Sequence, residues 1–245
     1  MRTLLLRISV VLAVLYLLTV SVEGPSLVLA WNGIAIDLFA ISKVGSILML
    51  LWFAARAVPT HPALIGGLAF SDIGDFLLAA KHIGPWDEPK LFIAGLIAFL
   101  LAHLCYITLF VNNADRKTSQ LRRFTITVVI AALWFLLSRL WPTLGSMRIP
   151  VVAYSLALST MATTAQLSRF PAVVSMGALS FFASDAMLAV SHFAHPFPAS
   201  RPLIWITYYV AQFLISAGVI NSLSSRSHQN VVYQAQTSGT PATRK

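Results

Sequence analysis

Apolar runs of about 20 residues, separated by short polar or turn-forming stretches, set the pattern of this chain. Their limits fall near 4–22, 34–55, 62–80, 91–111, 124–141, 149–168, 172–191 and 203–222. At 1.5 Å per residue, such a run matches the roughly 30 Å hydrocarbon thickness of a bilayer, so each predicts a membrane-crossing helix. Turn chemistry punctuates the runs at Glu23-Gly-Pro25, Pro59 to Pro62, Gly84-Pro85, Pro142 and His195-Pro-Phe-Pro198. The first run follows Arg2 and Arg7 in the manner of a signal peptide. Its length, and the absence of a small-residue cleavage site after it, favour an uncleaved helix. Beyond Ser222 the chain turns polar. The expectation is an all-α polytopic membrane helix bundle of eight transmembrane helices, forming a single domain over 1–224, with 225–245 as a disordered cytoplasmic tail.

Composition agrees with this picture. Of 245 residues, 58% are hydrophobic and 10% charged, and the mean hydropathy of +0.79 lies far outside the range of a soluble domain. The net charge of +9 does not point to nucleic acid, because the basic residues are scattered between the apolar runs instead of gathered on a face. They read as topology signals. Eleven (Arg2, Arg7, Arg56, Arg116, Lys117, Arg122, Arg123, Arg169, Arg226, Arg244 and Lys245) fall on the side of the termini and five (Lys81, Lys90, Arg139, Arg148 and Arg201) on the other. The positive-inside rule then places both termini in the cytoplasm, in a bacterial cell membrane or an internal membrane such as the ER. The single cysteine, Cys105, leaves no disulfide framework or zinc cluster to consider.

The polar residues inside the apolar runs carry the chemistry. Asp72 and Asp75 interrupt the third run, Asp185 the seventh. A charged aspartate at the centre of a spanning helix costs about 2.5–3.5 kcal/mol even on a lenient scale, which makes an intramembrane acid a functional-site candidate. Ser71, Asp72 and Asp75 share a helical face by their spacing, and Ser184 adjoins Asp185. His103 and Tyr106 in the fourth run, and Tyr208, Tyr209 and Gln212 in the eighth, add further polar groups, any of which alone serves as interhelical glue. The second run holds Asp37 and Lys43. Lys43 can neutralise one carboxylate as a structural ion pair but not three at once, so at least one acid must be protonated or bathed in water. A shift of 110 residues lays Gly67 on Gly177, Asp75 on Asp185, Leu78 on Leu188, Ala79 on Ala189 and His82 on His192. This is the register of a parallel 4+4 repeat, with both aspartates about thirteen residues, roughly 20 Å, into their helices.

Several short motifs resemble the YhhN-like lysoplasmalogenase family of integral membrane proteins. They are Phe70-Ser-Asp-Ile-Gly-Asp75-Phe-Leu-Leu78, then Phe92-x-x-Gly95, Phe99 and Ala102-His103-x-x-Tyr106, then Gly177-Ala178, Phe181 and Ser184-Asp185, and finally Tyr208-Tyr209-x-x-Gln212. Two departures stand out: Val44 follows Lys43 where that family has proline, and Asp72 stands where it has an apolar residue. The resemblance implies an eight-helix hydrolase of the vinyl ether bond of lysoplasmalogens, releasing a fatty aldehyde and glycerophosphocholine or glycerophosphoethanolamine. Carried over by motif, the catalytic pair is Asp75 and Asp185, with Lys43, Ser71, Asp72, His103, Tyr106, Ser184, Tyr208 and Gln212 supporting them or binding substrate.

Such a reaction suits paired carboxyls. Slow protonation of the outer alkene carbon gives an oxocarbenium ion that water captures, so one acid delivers the proton while an ionised partner stabilises the cation and activates the water, as in glycosidases. No metal or organic cofactor is required. A lysophospholipid can enter laterally from the bilayer among the membrane lipids. The competing reading is a proton-coupled membrane transporter that uses the same intramembrane aspartates in two related halves. An intramembrane aspartyl protease fits poorly, because Asp72 stands where Gly-x-Gly-Asp needs its first glycine. A lipid-scaffolding role makes no use of the acids.

Overall fold

The computed structural model describes residues 2–21, 28–31, 34–80, 87–115 and 119–237. Eight long helices follow one another: α1 (Arg2–Ser21), α2 (Leu38–Ala57), α3 (Pro62–Ala80), α4 (Glu88–Val111), α5 (Gln120–Leu140), α6 (Arg148–Gln166), α7 (Ala172–Phe193) and α8 (Ser200–Thr237). Between α1 and α2 lies a small antiparallel hairpin, β1 (Val28–Trp31) with β2 (Ile34–Asp37), in the register Val28↔Asp37 to Trp31↔Ile34. The eight-helix expectation thus holds, but α2 begins four residues later than the apolar run because residues 34–37 pair as a strand. The expected turns at Glu23-Gly-Pro25 and Gly84-Pro85, His82, and the basic residues Lys81, Arg116, Lys117, Arg244 and Lys245 lie outside the described residues.

Local chemistry explains the helix limits. Pro62 opens α3 and Pro171 immediately precedes α7, positions where a missing N–H costs nothing and φ is already set. Asp87 caps α4 through Lys90 N at 3.4 Å, and Ser119 caps α5 through Arg122 N at 3.3 Å. Past Ser222, α8 meets no glycine or proline until Gly239, so the helix continues to Thr237. The part of the expected tail up to that residue is therefore helical, since each added residue gains a hydrogen bond at little further cost. Residues 238–245 lie outside the description.

Among the described residues, seven helices are long and apolar enough to cross a membrane, which fits a multi-pass membrane protein; α6 falls short by composition. Three of its hydroxyls are nevertheless satisfied within the helix: Ser159 donates to Ser155 O, Thr160 to Leu156 O and Thr164 to Thr160 O. Large apolar side chains point outward along α1, α4 and α5, among them Val11, Ile97 and Trp134. This arrangement suits contact with lipid.

The most extensive packings are α3 with α4 and α7 with α8, followed by α1 with α2, α2 with α3, and α4 with α6. Small residues permit the closest approaches. A Cβ placed on Gly67 would stand 2.6 Å from the Tyr106 ring, and one on Gly177 would stand 3.0 Å from Ala211 O and Ile215 N, both backbone atoms of α8. At one end of the bundle, basic side chains tie the interhelical loops together. Arg122 donates to Ser168 O, Arg169 to Ala114 O, and Arg226 to Asn113 Oδ1 and Arg169 O.

Candidate active site

Asp75 and Asp185 each lie thirteen residues from the first residue of their helices, Pro62 and Ala172. By helical rise they are about 8 and 12 Å from the opposite ends of α3 and α7, away from the basic loops. Both are buried, 1% and 9% exposed. Both line one cavity of about 80 Å³, together with Lys43, Tyr16, Ser184, Arg201, Trp205 and Tyr208. A polar cavity of that size has room for several waters.

The two carboxyls are held differently. Lys43 Nζ lies 2.8 Å from Asp75 Oδ1, and the Tyr208 hydroxyl donates to Asp75 Oδ2 at 2.6 Å. Behind Tyr208 the chain of hydrogen bonds continues across the bundle: Gln212 Nε2 donates to the Tyr208 oxygen at 3.4 Å, and the Tyr106 hydroxyl donates to Gln212 Oε1 at 2.6 Å. Burial leaves these groups no water to fall back on, so the network fixes Tyr208 toward the acid. Asp185 instead receives the Tyr154 hydroxyl on Oδ2 at 2.5 Å. His103 Nε2 stands 3.7 Å from that same oxygen, beyond hydrogen-bond length, and packs edge-to-face on Tyr154 and Phe181.

Each carboxyl is met from two other helices. Asp75 of α3 is met from α2 and α8, and Asp185 of α7 is met from α6 and α4. Ser184 does not contact a carboxylate; its hydroxyl donates to Ile204 O at 2.9 Å and joins α7 to α8. Ser71 is fully buried within α3. Asp72 is only partly buried and lines neither cavity near the pair, and its Oδ1 has no hydrogen-bond partner among the described residues.

A second, apolar cavity of about 50 Å³ adjoins the first and shares Leu78, Phe99, Asp185 and Leu188 with it. Phe92, Leu96, Leu136, Val151 and Leu158 line much of the rest of its wall, with Tyr154, Ser155 and His192 as its further polar side chains. Asp185 therefore stands at the seam between a polar compartment and an apolar one. Tyr154 and Arg201 belong to this arrangement without having been singled out from the sequence. Tyr154 carries the same signal as Tyr106, a phenol within an apolar run. In a helix rich in hydroxyls it does not rise above its neighbours, and Arg201 near a helix end reads as a topology charge.

Residues 38–219 match the model of the YhhN family. The chain is 38% identical over 185 residues to a lysoplasmalogenase of Mycobacterium bovis, covering 69% of this chain and 67% of that protein. It is 35% identical over 214 residues to lysoplasmalogenase TMEM86B of Sus scrofa, covering 86% and 83%. It is 29% identical over 182 residues to lysoplasmalogenase TMEM86A of Homo sapiens, covering 70% and 71%. No solved structure matches the chain. The match over α2 to α8, with relatives aligned across two thirds or more of both chains, shows that the chain belongs to the YhhN family.

Proposed function

We propose that this protein is a lysoplasmalogenase: an intramembrane hydrolase of the vinyl ether bond of lysoplasmalogens, with Asp75 and Asp185 as its acid–base pair. The relatives' names support the activity. The observation that carries the mechanism is the placement of both carboxyls on one cavity lined by Lys43, Tyr16, Tyr208 and Arg201, with an apolar cavity adjoining it at Asp185.

The differing partners divide the labour. Asp75, with the Lys43 ammonium on Oδ1 and a phenol on Oδ2, is the carboxylate. Among the described residues Asp185 has no Lys or Arg within salt-bridge contact, only the longer approach of His103, and its Oδ1 is left to carry a proton. Asp185 protonates the outer alkene carbon, and the positive charge develops on the ether carbon. Asp75 stabilises that oxocarbenium ion and draws a proton from the water that attacks it. The resulting hemiacetal collapses to a fatty aldehyde and the freed glycerol hydroxyl, so one water is consumed and the proton returns to the pair. The alkenyl chain occupies the apolar cavity.

We also read the bundle as a parallel 4+4 repeat with both termini cytoplasmic. Matched packings support the repeat, α3 with α4 beside α7 with α8, as does the matched origin of each aspartate's partners. The basic residues support the orientation.

The test is aldehyde release from a lysoplasmalogen by purified protein in detergent, where no gradient can exist. Wild-type turnover is expected, and Asp75→Asn and Asp185→Asn are each expected to lower kcat by about 10²–10⁴-fold. Turnover that survives both substitutions removes the dyad. Absence of any wild-type turnover favours the proton-coupled transporter.

A further inference from the structure

The polar cavity contains a cation that the acid–base pair does not use. Arg201, in the first turn of α8, lines the same cavity as Asp75, Asp185 and Lys43. Arg201, Trp205, Tyr208 and Gln212 recur at i, i+4, i+7 and i+11, so they share one face of α8. That face is the one that presents Tyr208 to Asp75. By helical rise Arg201 lies about 10 Å from Tyr208, toward the end of the bundle where α3 and α7 stop.

The two cations of this cavity stand in different states. Lys43 is deep and engaged with Asp75 at 2.8 Å. The Arg201 side chain is exposed and has no ion-pair partner among the described residues. An anion entering from the end of the bundle therefore meets Arg201 first, and without it would meet two carboxyls and a lysine already neutralised.

We infer that Arg201 binds the phosphodiester of the substrate headgroup and thereby sets the register in which the ether bond reaches Asp75 and Asp185. The inference rests on the lysolipid reading above and extends it to specificity. A guanidinium offers a planar fork that matches two phosphate oxygens, which an ammonium does not. It also offsets the repulsion between a phosphate and the carboxyls on the same cavity. With the phosphate at Arg201 and the chain beyond Phe99 and Leu188 in the apolar cavity, the bond next to the glycerol falls at the seam where Asp185 stands. Arg201 is thus a specificity residue that selects a lysophospholipid over the same lipid without its headgroup.

Binding of two unreactive lipids to the full chain in detergent tests this: a saturated 1-O-alkyl-glycerophosphocholine and the corresponding 1-O-alkylglycerol. The wild type is expected to bind the phosphate-bearing lipid at least tenfold more tightly. Arg201→Gln is expected to bind both alike, with its affinity for the alkylglycerol within twofold of wild type, and Arg201→Lys to keep an intermediate margin. A wild type with no preference, or an Arg201→Gln protein that retains the full preference, overturns the assignment. Neither lipid is turned over, so this outcome is independent of catalysis. Arg201-dependent binding in a protein that releases no aldehyde would sink the hydrolase reading alone, whereas aldehyde release with an unchanged margin in Arg201→Gln would sink the Arg201 site alone.

Discussion

A buried carboxylate survives where its charge is matched, and the match at Asp75 has a measurable strength. Lys43 and Asp75 are 16% and 2% exposed at their side chains, so removing the ammonium strands a charge with little water to take its place. Lys43→Met is expected to cost about 3–5 kcal/mol of stability, read as a lower midpoint of thermal unfolding in detergent. Lys43→Met combined with Asp75→Asn should recover most of that loss, because no orphan charge remains. Additive losses in the double variant would show that the two side chains are not coupled. At Asp185 the corresponding change is Tyr154→Phe, which removes the donor that steadies the carboxylate left when Asp185 gives up its proton, a hydrogen bond worth about 1.5–3 kcal/mol to a charged partner. It should lower kcat by about 10- to 100-fold while the fold persists, and an unchanged kcat would remove Tyr154 from the mechanism. The acids, Lys43, Tyr208 and Gln212 are visible in sequence because each interrupts an apolar run at a cost that needs an explanation. Tyr154 pays the same penalty, but among the serines and threonines of α6 a single phenol does not stand out.

At the scale of elements, the site depends on how closely α7 approaches α8, since α8 supplies Tyr208, Gln212 and Arg201. A Cβ on Gly177 would meet the Ile215 side chain at 2.9 Å and two backbone atoms of α8 at 3.0 Å, and the backbone cannot rotate aside as a side chain can. Gly177→Ala is therefore expected to push the helices apart, cost about 1–3 kcal/mol and reduce turnover along with thermal stability. An unaffected midpoint and kcat would mean that the interface tolerates the extra carbon. Two boundaries show what periodicity conveys. The strands 28–31 and 34–37 flank Asn32-Gly33 in the sequence, a strong local turn signal, yet the apolar residues 34–36 merge with the run that follows and hide it. The extension of α8 to Thr237 escapes a reading by hydropathy altogether, because a polar helix and a polar tail have the same composition.

For the whole molecule, the basic loops and the cavity lie at opposite ends. Arg122, Arg169 and Arg226 bind loop carbonyls and the Asn113 side chain at one end, while Arg201 lines the cavity toward the other. On the proposed orientation, with the positive end in the cytoplasm, the cavity of Asp75 and Asp185 is expected to face the opposite leaflet. In a Cys105→Ser background, His195→Cys should react with an impermeant thiol reagent in intact cells or spheroplasts, and Ser225→Cys only after permeabilisation. Both positions are exposed. The reverse labelling pattern would invert the topology and place headgroup recognition on the cytoplasmic side.

Hydrophobic length and the penalty for polarity in hydrocarbon act on each segment separately, so the sequence alone determined the number of long helices, their approximate limits apart from the end of α8, and which side chains needed a reason to be there. It also determined the equal depth of Asp75 and Asp185, since thirteen residues from a proline-marked helix start is a local distance. Which groups touch is not local. That Lys43 meets Asp75, that Tyr154 reaches Asp185, that Tyr106, Gln212 and Tyr208 form one chain of hydrogen bonds, and that Arg201 shares their cavity were decided by the rotation and spacing of packed helices. Those depend on side-chain fit among segments that lie from 31 to 133 residues apart.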